Sequence, residues 1–227
     1  MWPSARSSGA PGAGGPGGGG GSLDYDAEAR RLWLRLGLHE GAEAGAGVGV
    51  QSRYHALDPI WKHPQTGARI YVGNQSAAAD ASMLAQHGIT HVVNCTDNIP
   101  CFHEGKGAFQ YYRFDVAWWW RHVDGSHAST AMFVAPMLAF VYNKALCQGH
   151  SVLVHCLAGA HRAGTTGTLL LMVLENMRPR EAVTVAKMCR PIIDPIGIFP
   201  EFLNRVDAAV ASGVLPTPKG HSAAETK

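Results

Sequence analysis

Strand-like and helix-like segments alternate through most of this chain, which predicts an α/β domain with a central, mainly parallel sheet flanked by helices. Two observations sharpen that expectation. The run Val152-Leu153-Val154 is apolar without alternation and leads into His155, as in a strand buried on both faces. Hydrophobic residues make up 46% of the 227 positions, enough for one domain with a sizeable core.

The elements follow in chain order. Residues 1–50 read as a low-complexity tail, with glycine dominating Pro11 to Gly21, and such a composition cannot offset its chain entropy by burial. This tail is expected to be disordered, except for a short helix around 24–38. There Leu32, Trp33, Leu36 and Leu38 form an apolar face broken by Arg30, Arg31 and Arg35. Packing on the domain's flank and docking to a partner or membrane surface are both open to that helix. Residues 51–212 form the predicted globular domain. Arg69 to Gly73 reads as its first strand, Ala77 to Gln86 as a short helix ended by Gly88, and Thr90 to Cys95 as a second strand. Gln110 to Val116 makes a third strand and Ala131 to Cys147 a long helix. After the Val152 strand come helices over Thr166–Glu175, Pro179–Met188 and Gly197–Ala211, with Pro179 suited to a first helical turn. Residues 213–227 are a polar tail.

Bulk chemistry narrows the function. A net charge of +2 with only 16% charged residues argues against nucleic-acid binding, which calls for a marked basic patch. Five widely spaced cysteines with no Cys-x-x-Cys pair argue against a disulfide scaffold or a zinc site. No metal or other cofactor is expected. No apolar run reads as a membrane span, and no signal-peptide core is evident, so the expected compartment is cytoplasmic or nuclear. Oligomeric state is not legible.

The stretch from Val152 to Thr165 carries the chemistry. A strand ends in His155-Cys156, five residues follow, and Arg162 opens a helix-forming run. Cys156 then lies at the mouth of a tight loop, facing backbone N–H groups and a helix N-terminus, both of which attract anions and favour a thiolate. Arg162 adds a planar fork suited to bidentate phosphate binding.

His155-Cys156-(five residues)-Arg162 resembles the signature loop of the cysteine-dependent protein tyrosine phosphatase superfamily, and the short domain with its Gly149-to-Cys156 lead-in is most similar to the dual-specificity branch. The resemblance covers roughly Ala68 to Ala211, with Cys156, Gly159, Arg162 and Gly164 at matching offsets. It implies that Cys156 attacks phosphorus to form a phosphocysteine. It also implies that the backbone of Leu157, Ala158, Gly159, Ala160, His161 and Arg162 holds the equatorial oxygens while Arg162 clamps two of them. Gly159 would permit the tight turn and Gly164 the close helix start, with His155 bracing the loop by hydrogen bonding. The His161 ring has two open orientations, toward substrate or away from it.

The family's proton donor is an aspartate on a mobile loop about thirty positions before the cysteine. Asp124, 32 positions before Cys156, fits best and lies in a loop-like stretch with a glycine hinge. Asp115 is the alternative, and reads as part of the third strand. Trp118-Trp119-Trp120 cannot all face one core, so at least one is expected at the cleft rim. The family generally carries Ser or Thr after the signature arginine, to ease breakdown of the phosphocysteine. Ala163 stands there instead, as in the phosphatases of regenerating liver, and implies a slow second step. Cys95, ending the second strand, reads either as a small buried residue or as a disulfide partner for Cys156.

The expected function is hydrolysis of phosphotyrosine and phosphoserine/phosphothreonine on proteins. The alternatives are a pseudophosphatase-like module that captures phosphoproteins with little turnover, and a phosphatase for a phosphoinositide or phosphoglucan.

Overall fold

In the computed structural model, residues 23–35 and 54–218 are described. The expected glycine-rich tail, the 36–38 end of the first helix and the last residues of the polar tail lie outside the described residues. Within them, helices flank a mixed five-stranded sheet ordered β1-β2-β5-β3-β4, with β1 at Leu57–Lys62, β2 at Arg69–Gly73, β3 at Ile89–Asn94, β4 at Gln110–Arg113 and β5 at Ser151–His155. β1 pairs antiparallel with β2, and every other pairing is parallel. The Val152 strand is central, as its unbroken apolar run predicts, and every residue of β5 is buried.

β1 is the strand that the sequence hides. Pro59 sits inside it and reads as a strand breaker, yet an edge strand tolerates a residue with no N–H to give, and the ladder shifts register between Pro59 and Trp61. β4 ends at Arg113, so Asp115 stands beyond the strand and opens a 3₁₀ turn over Val116–Arg121.

Seven helices complete the described part: α1 (Tyr25–Arg35), α2 (Gln75–Ala79), α3 (Ala81–Gln86), α4 (His127–Leu138), α5 (Arg162–Glu175), α6 (Pro179–Cys189) and α7 (Phe199–Ala211). Asp80 splits the expected single helix in two, because its carboxylate accepts from Ser82 N at 2.9 Å and Met83 N at 3.0 Å and so caps α3. Beyond α4 the helix widens over Ala139–Ala145 and reaches Gln148. The full His127–Gln148 segment, 22 residues of mean hydropathy 1.3, is long and apolar enough to cross a bilayer by length and composition alone. Here it is a packed core helix, with Val134, Met137, Leu138, Val141, Ala145 and Leu146 fully buried. α5 runs from the end of β5 through the middle of the core, and its residues from Arg162 to Leu174 are all buried.

Candidate active site

The loop from Cys156 to His161 joins β5 to α5, and its shape is set from outside. Leu157 O accepts from Gln75 N at 3.0 Å, and Ala160 O accepts from Asp194 N at 3.1 Å. Ala158 O accepts from Arg190 Nη2 and Tyr54 Oη, and Gly159 O from Arg190 Nε. His161 O takes both the Thr165 N–H and the Thr165 hydroxyl. A trans peptide sets its N–H opposite its C=O, so five carbonyls tied outward leave the following N–H groups facing the hollow of the loop. Gly159 N shows this directly, donating to Cys156 Sγ at 3.3 Å. Gly159 has φ of +69°, and a Cβ there would lie 2.5 Å from the Gly73 carbonyl oxygen. Gly164 lets α5 start against Ile193, whose side chain would press on a Cβ at 3.0 Å.

Cys156 is buried at the mouth of this loop. Arg162, in the first turn of α5, is 5% exposed, and among the described residues its Nε has no hydrogen-bond partner. Burial acts to lower the pKa of the guanidinium. The adjoining Cys156 sulfur and Asp26 carboxylate outweigh it and hold the arginine's pKa above its ordinary value.

Arg190 is the residue that sequence reasoning missed. It is 1% exposed and spreads its fork over two loop carbonyls, the His55 carbonyl and the Asp58 carboxylate, the last at 2.6 Å. Its one visible signal is a cationic residue just before Pro191, at the end of a helix.

Several residues named in the sequence have definite surroundings here. His155 is fully buried, with its ring against the Cys156 backbone. Burial holds its pKa down to about 3, and it is neutral. His161 Nδ1 donates to the Asp194 carbonyl at 2.8 Å, so its ring ties the loop to the segment after α6 instead of facing a substrate. Thr165 is occupied by the His161 carbonyl and cannot stand in for the hydroxyl missing at Ala163. Cys95 is a free, buried thiol that donates to Thr166 Oγ1 at 3.3 Å, and burial pushes its pKa up.

Asp124 and Asp115 have opposite environments. Asp124 is exposed and helps to cap α4, accepting from Ser129 Oγ at 2.6 Å and Ser126 N at 2.9 Å. These bonds lower its pKa to about 2, which favours a fixed carboxylate over a proton donor. Asp115 is half-buried, and its Oδ1 is buried with no partner among the described residues. Burial and the nearby Asp97 carboxylate raise its pKa. Its place follows from register: Arg113 pairs with Asn94, and Asn94 with His155, so the three share one row at the carboxyl ends of their strands. Asp115 lies two residues past that row and Cys156 one, separated by two strand spacings of about 4.8 Å each.

Of the three tryptophans, Trp119 is in the core, stacked on Phe202. Trp118 is half-buried and donates to Asp97, while Trp120 is exposed; Arg121 lies over both of their rings.

α1 lies against the loop, and not merely on the flank. Asp26 forms an ion pair with Arg162 Nη2. Ala29 and Trp33 pack with Leu157, Ala158, Ala160 and Ile99. Trp33 Nε1 donates to Tyr54 Oη at 3.0 Å, and Tyr54 holds the Ala158 carbonyl. No group of metal-ligating side chains occurs among the described residues.

Comparison with known proteins agrees with this geometry. The family described as "Dual specificity phosphatase, catalytic domain" matches residues 70–206. Human dual specificity protein phosphatase 9 is 30% identical over 172 residues, which are 76% of this chain and 41% of that protein. Mouse dual specificity protein phosphatase 14 is 30% identical over 141 residues, 62% of this chain and 67% of that protein. The chain thus spans less than half the length of some curated relatives that it matches. Among solved structures, a mouse putative dual specificity phosphatase complexed with zinc tungstate has a TM-score of 0.56 at 21% identity, covering 81% of this chain and 99% of that one. Human DUSP28 has a TM-score of 0.54 at 21% identity, covering 75% and 99%. At such identities these structures speak for the fold alone.

Proposed function

The chain belongs to the dual specificity phosphatase family, and we propose that it hydrolyses phosphotyrosine and phosphoserine/phosphothreonine on proteins through a phosphocysteine on Cys156. The observation that carries this reading is the outward tethering of the loop carbonyls, with the Gly159 N–H donating to Cys156 Sγ and the buried Arg162 beside it.

The Cys156 thiolate attacks phosphorus, forming the S–P bond as the ester P–O bond breaks. Backbone N–H groups and Arg162 hold the equatorial oxygens as charge spreads over them. Asp115 gives its proton to the departing alkoxide or phenoxide; its raised pKa and unpartnered, buried oxygen support that role. Asp124, expected from spacing alone, is the weaker candidate, since its carboxylate is occupied in the α4 cap. Water then attacks the phosphocysteine, Asp115 recovers a proton from it, and the S–P bond breaks to release inorganic phosphate and the thiolate. With Ala163 beside Arg162 and Thr165 engaged elsewhere, no hydroxyl eases that departure, which supports a slow second step.

Hydrolysis of p-nitrophenyl phosphate by the wild type, lost in Cys156→Ser, tests this reading. Activity retained in Cys156→Ser would overturn it. A phosphopeptide panel set against a phosphoinositide and a phosphoglucan then assigns the substrate class. A reducing, cytoplasmic or nuclear compartment fits a thiolate nucleophile and belongs to the same proposal.

A further inference from the structure

The phosphate seat of Arg162 holds a carboxylate from the chain itself. Asp26 pairs one oxygen with Arg162 Nη2, and its other oxygen accepts from Asn98 Nδ2 at 2.8 Å. The side chain is 17% exposed, so this is no loose surface pair. The helix that delivers it is anchored at several points along its length. Asp24 caps α1 by accepting from Asp26 N and Ala27 N, and Tyr25 stacks on Phe199 with ring centroids 4.5 Å apart. Ala29 and Trp33 rest on the loop residues Leu157, Ala158 and Ala160. Of the fork that would bind a phosphoryl group, Nη2 is taken and Nε has no partner among the described residues.

A carboxylate is a planar anion with two acceptor oxygens and matches one edge of a guanidinium, as a phosphate does. It also carries one charge where a phosphomonoester dianion carries about two, so the substrate is the stronger competitor for the same cation. From this we propose that α1 is an intramolecular plug, with Asp26 occupying the phosphate-binding edge of Arg162 until a phosphoester displaces it. The proposal rests on the phosphatase reading for its functional meaning, while the displacement itself requires only anion binding. It gives the helix a role that neither flank packing nor partner docking supplies. Apart from Leu34, 72% exposed, the large apolar side chains of α1 are buried or half-buried against the domain.

A plug that competes with substrate reduces the fraction of competent molecules and so raises apparent KM, leaving kcat alone. Asp26→Asn and Tyr25→Ala should therefore lower KM for p-nitrophenyl phosphate about tenfold, an effect equal to a tenfold shift in the plugged-to-open ratio, with kcat kept within about twofold. In parallel, hydrogen exchange of residues 25–35 is followed in the unaltered chain with and without saturating inorganic phosphate. Faster exchange in α1 with phosphate bound is the expected result. Unchanged or higher KM in Asp26→Asn, or α1 amides that stay protected while phosphate occupies the loop, would overturn the plug. If no variant hydrolyses the ester but phosphate still releases α1, the plug stands and the phosphatase reading falls. Should Asp26→Asn fail to fold, the exchange measurement on the unaltered chain decides.

Discussion

Arg190 Nε donates to the carbonyl oxygen of Gly159 at 3.0 Å, so a side chain 31 positions downstream holds the turn around the nucleophile. The same guanidinium reaches Ala158 O and Asp58, and it is almost wholly buried. Replacing it leaves two loop carbonyls without these donors and a carboxylate without its cation. Arg190→Met should destabilise the fold by about 3–5 kcal/mol, the usual cost of breaking a buried pair from one side. In molecules that remain folded, kcat/KM should fall by about 10²-fold through loss of loop geometry. Urea unfolding and ester hydrolysis measure the two effects separately. If stability falls and kcat/KM does not, Arg190 supports the fold without positioning the loop.

The environments of Asp115 and Asp124 make a paired prediction. Asp115→Asn should lower kcat on an alkyl phosphate by about 10²-fold, within the range for loss of a general acid. The loss should be smaller on p-nitrophenyl phosphate, whose leaving group needs little protonation. A donor acts only while protonated, so the rate should fall as pH rises through the Asp115 pKa, which burial and Asp97 place above the ordinary carboxylate value. Asp124→Asn should keep activity and slightly lower the melting temperature by weakening the α4 cap. Alkyl phosphate kinetics that fail only in Asp124→Asn would reverse the assignment.

Cys156 and Arg162 were legible in the sequence because a strand, a five-residue loop and a helix start are consecutive, and their chemistry depends on that local order. The central place of β5 was legible for a similar reason, since an unbroken apolar run needs cover on both faces. Asp115 was misread because Phe114 and Val116 continue the alternation of β4, and both are buried, although the ladder ends at Arg113. β1 was lost to Pro59. Tyr54, Asp58 and Asp26 gave no local signal of these roles, and Arg190 only its place before Pro191, because each acts through a contact made only in the folded chain.

Ala163 gives a kinetic prediction. It is fully buried beside Arg162, and the nearby Thr165 hydroxyl donates to His161 O. Rapid-quench measurements should show a burst of p-nitrophenol followed by slow turnover. Ala163→Ser should raise the steady rate by about tenfold, equivalent to about 1.4 kcal/mol of barrier, and should reduce the burst. A linear trace in the wild type, with no phosphoenzyme trapped by acid, would show that breakdown is not limiting.

Buried histidines contribute to the acid limit of stability, His155 and His91 most strongly, with His63 lowered by burial in the same direction. His155 is held neutral by burial, with Arg113 and Arg162 adding repulsion, and its pKa is about 3. His91, 2% exposed, is lowered to about 4 by burial and by His150 and Lys144. An unfolded histidine titrates near 6.5. As pH falls below that value the unfolded chain takes up protons that the folded chain refuses, so stability is fully present above about 6.5 and is lost on acidification. Each histidine should contribute about 1.4 kcal/mol per pH unit over its window, down to about 3 for His155 and about 4 for His91. The Asp124 contribution has the same sign but is lost only as pH falls from its ordinary carboxylate range toward about 2, which largely separates the two. Urea unfolding at pH 7, 6 and 5, values chosen to span this window, should show the slope, and His91→Phe, which keeps an aromatic ring beside Phe140, should make it shallower. Stability that stays flat from pH 7 to pH 5 would mean that these rings are not buried as neutral groups.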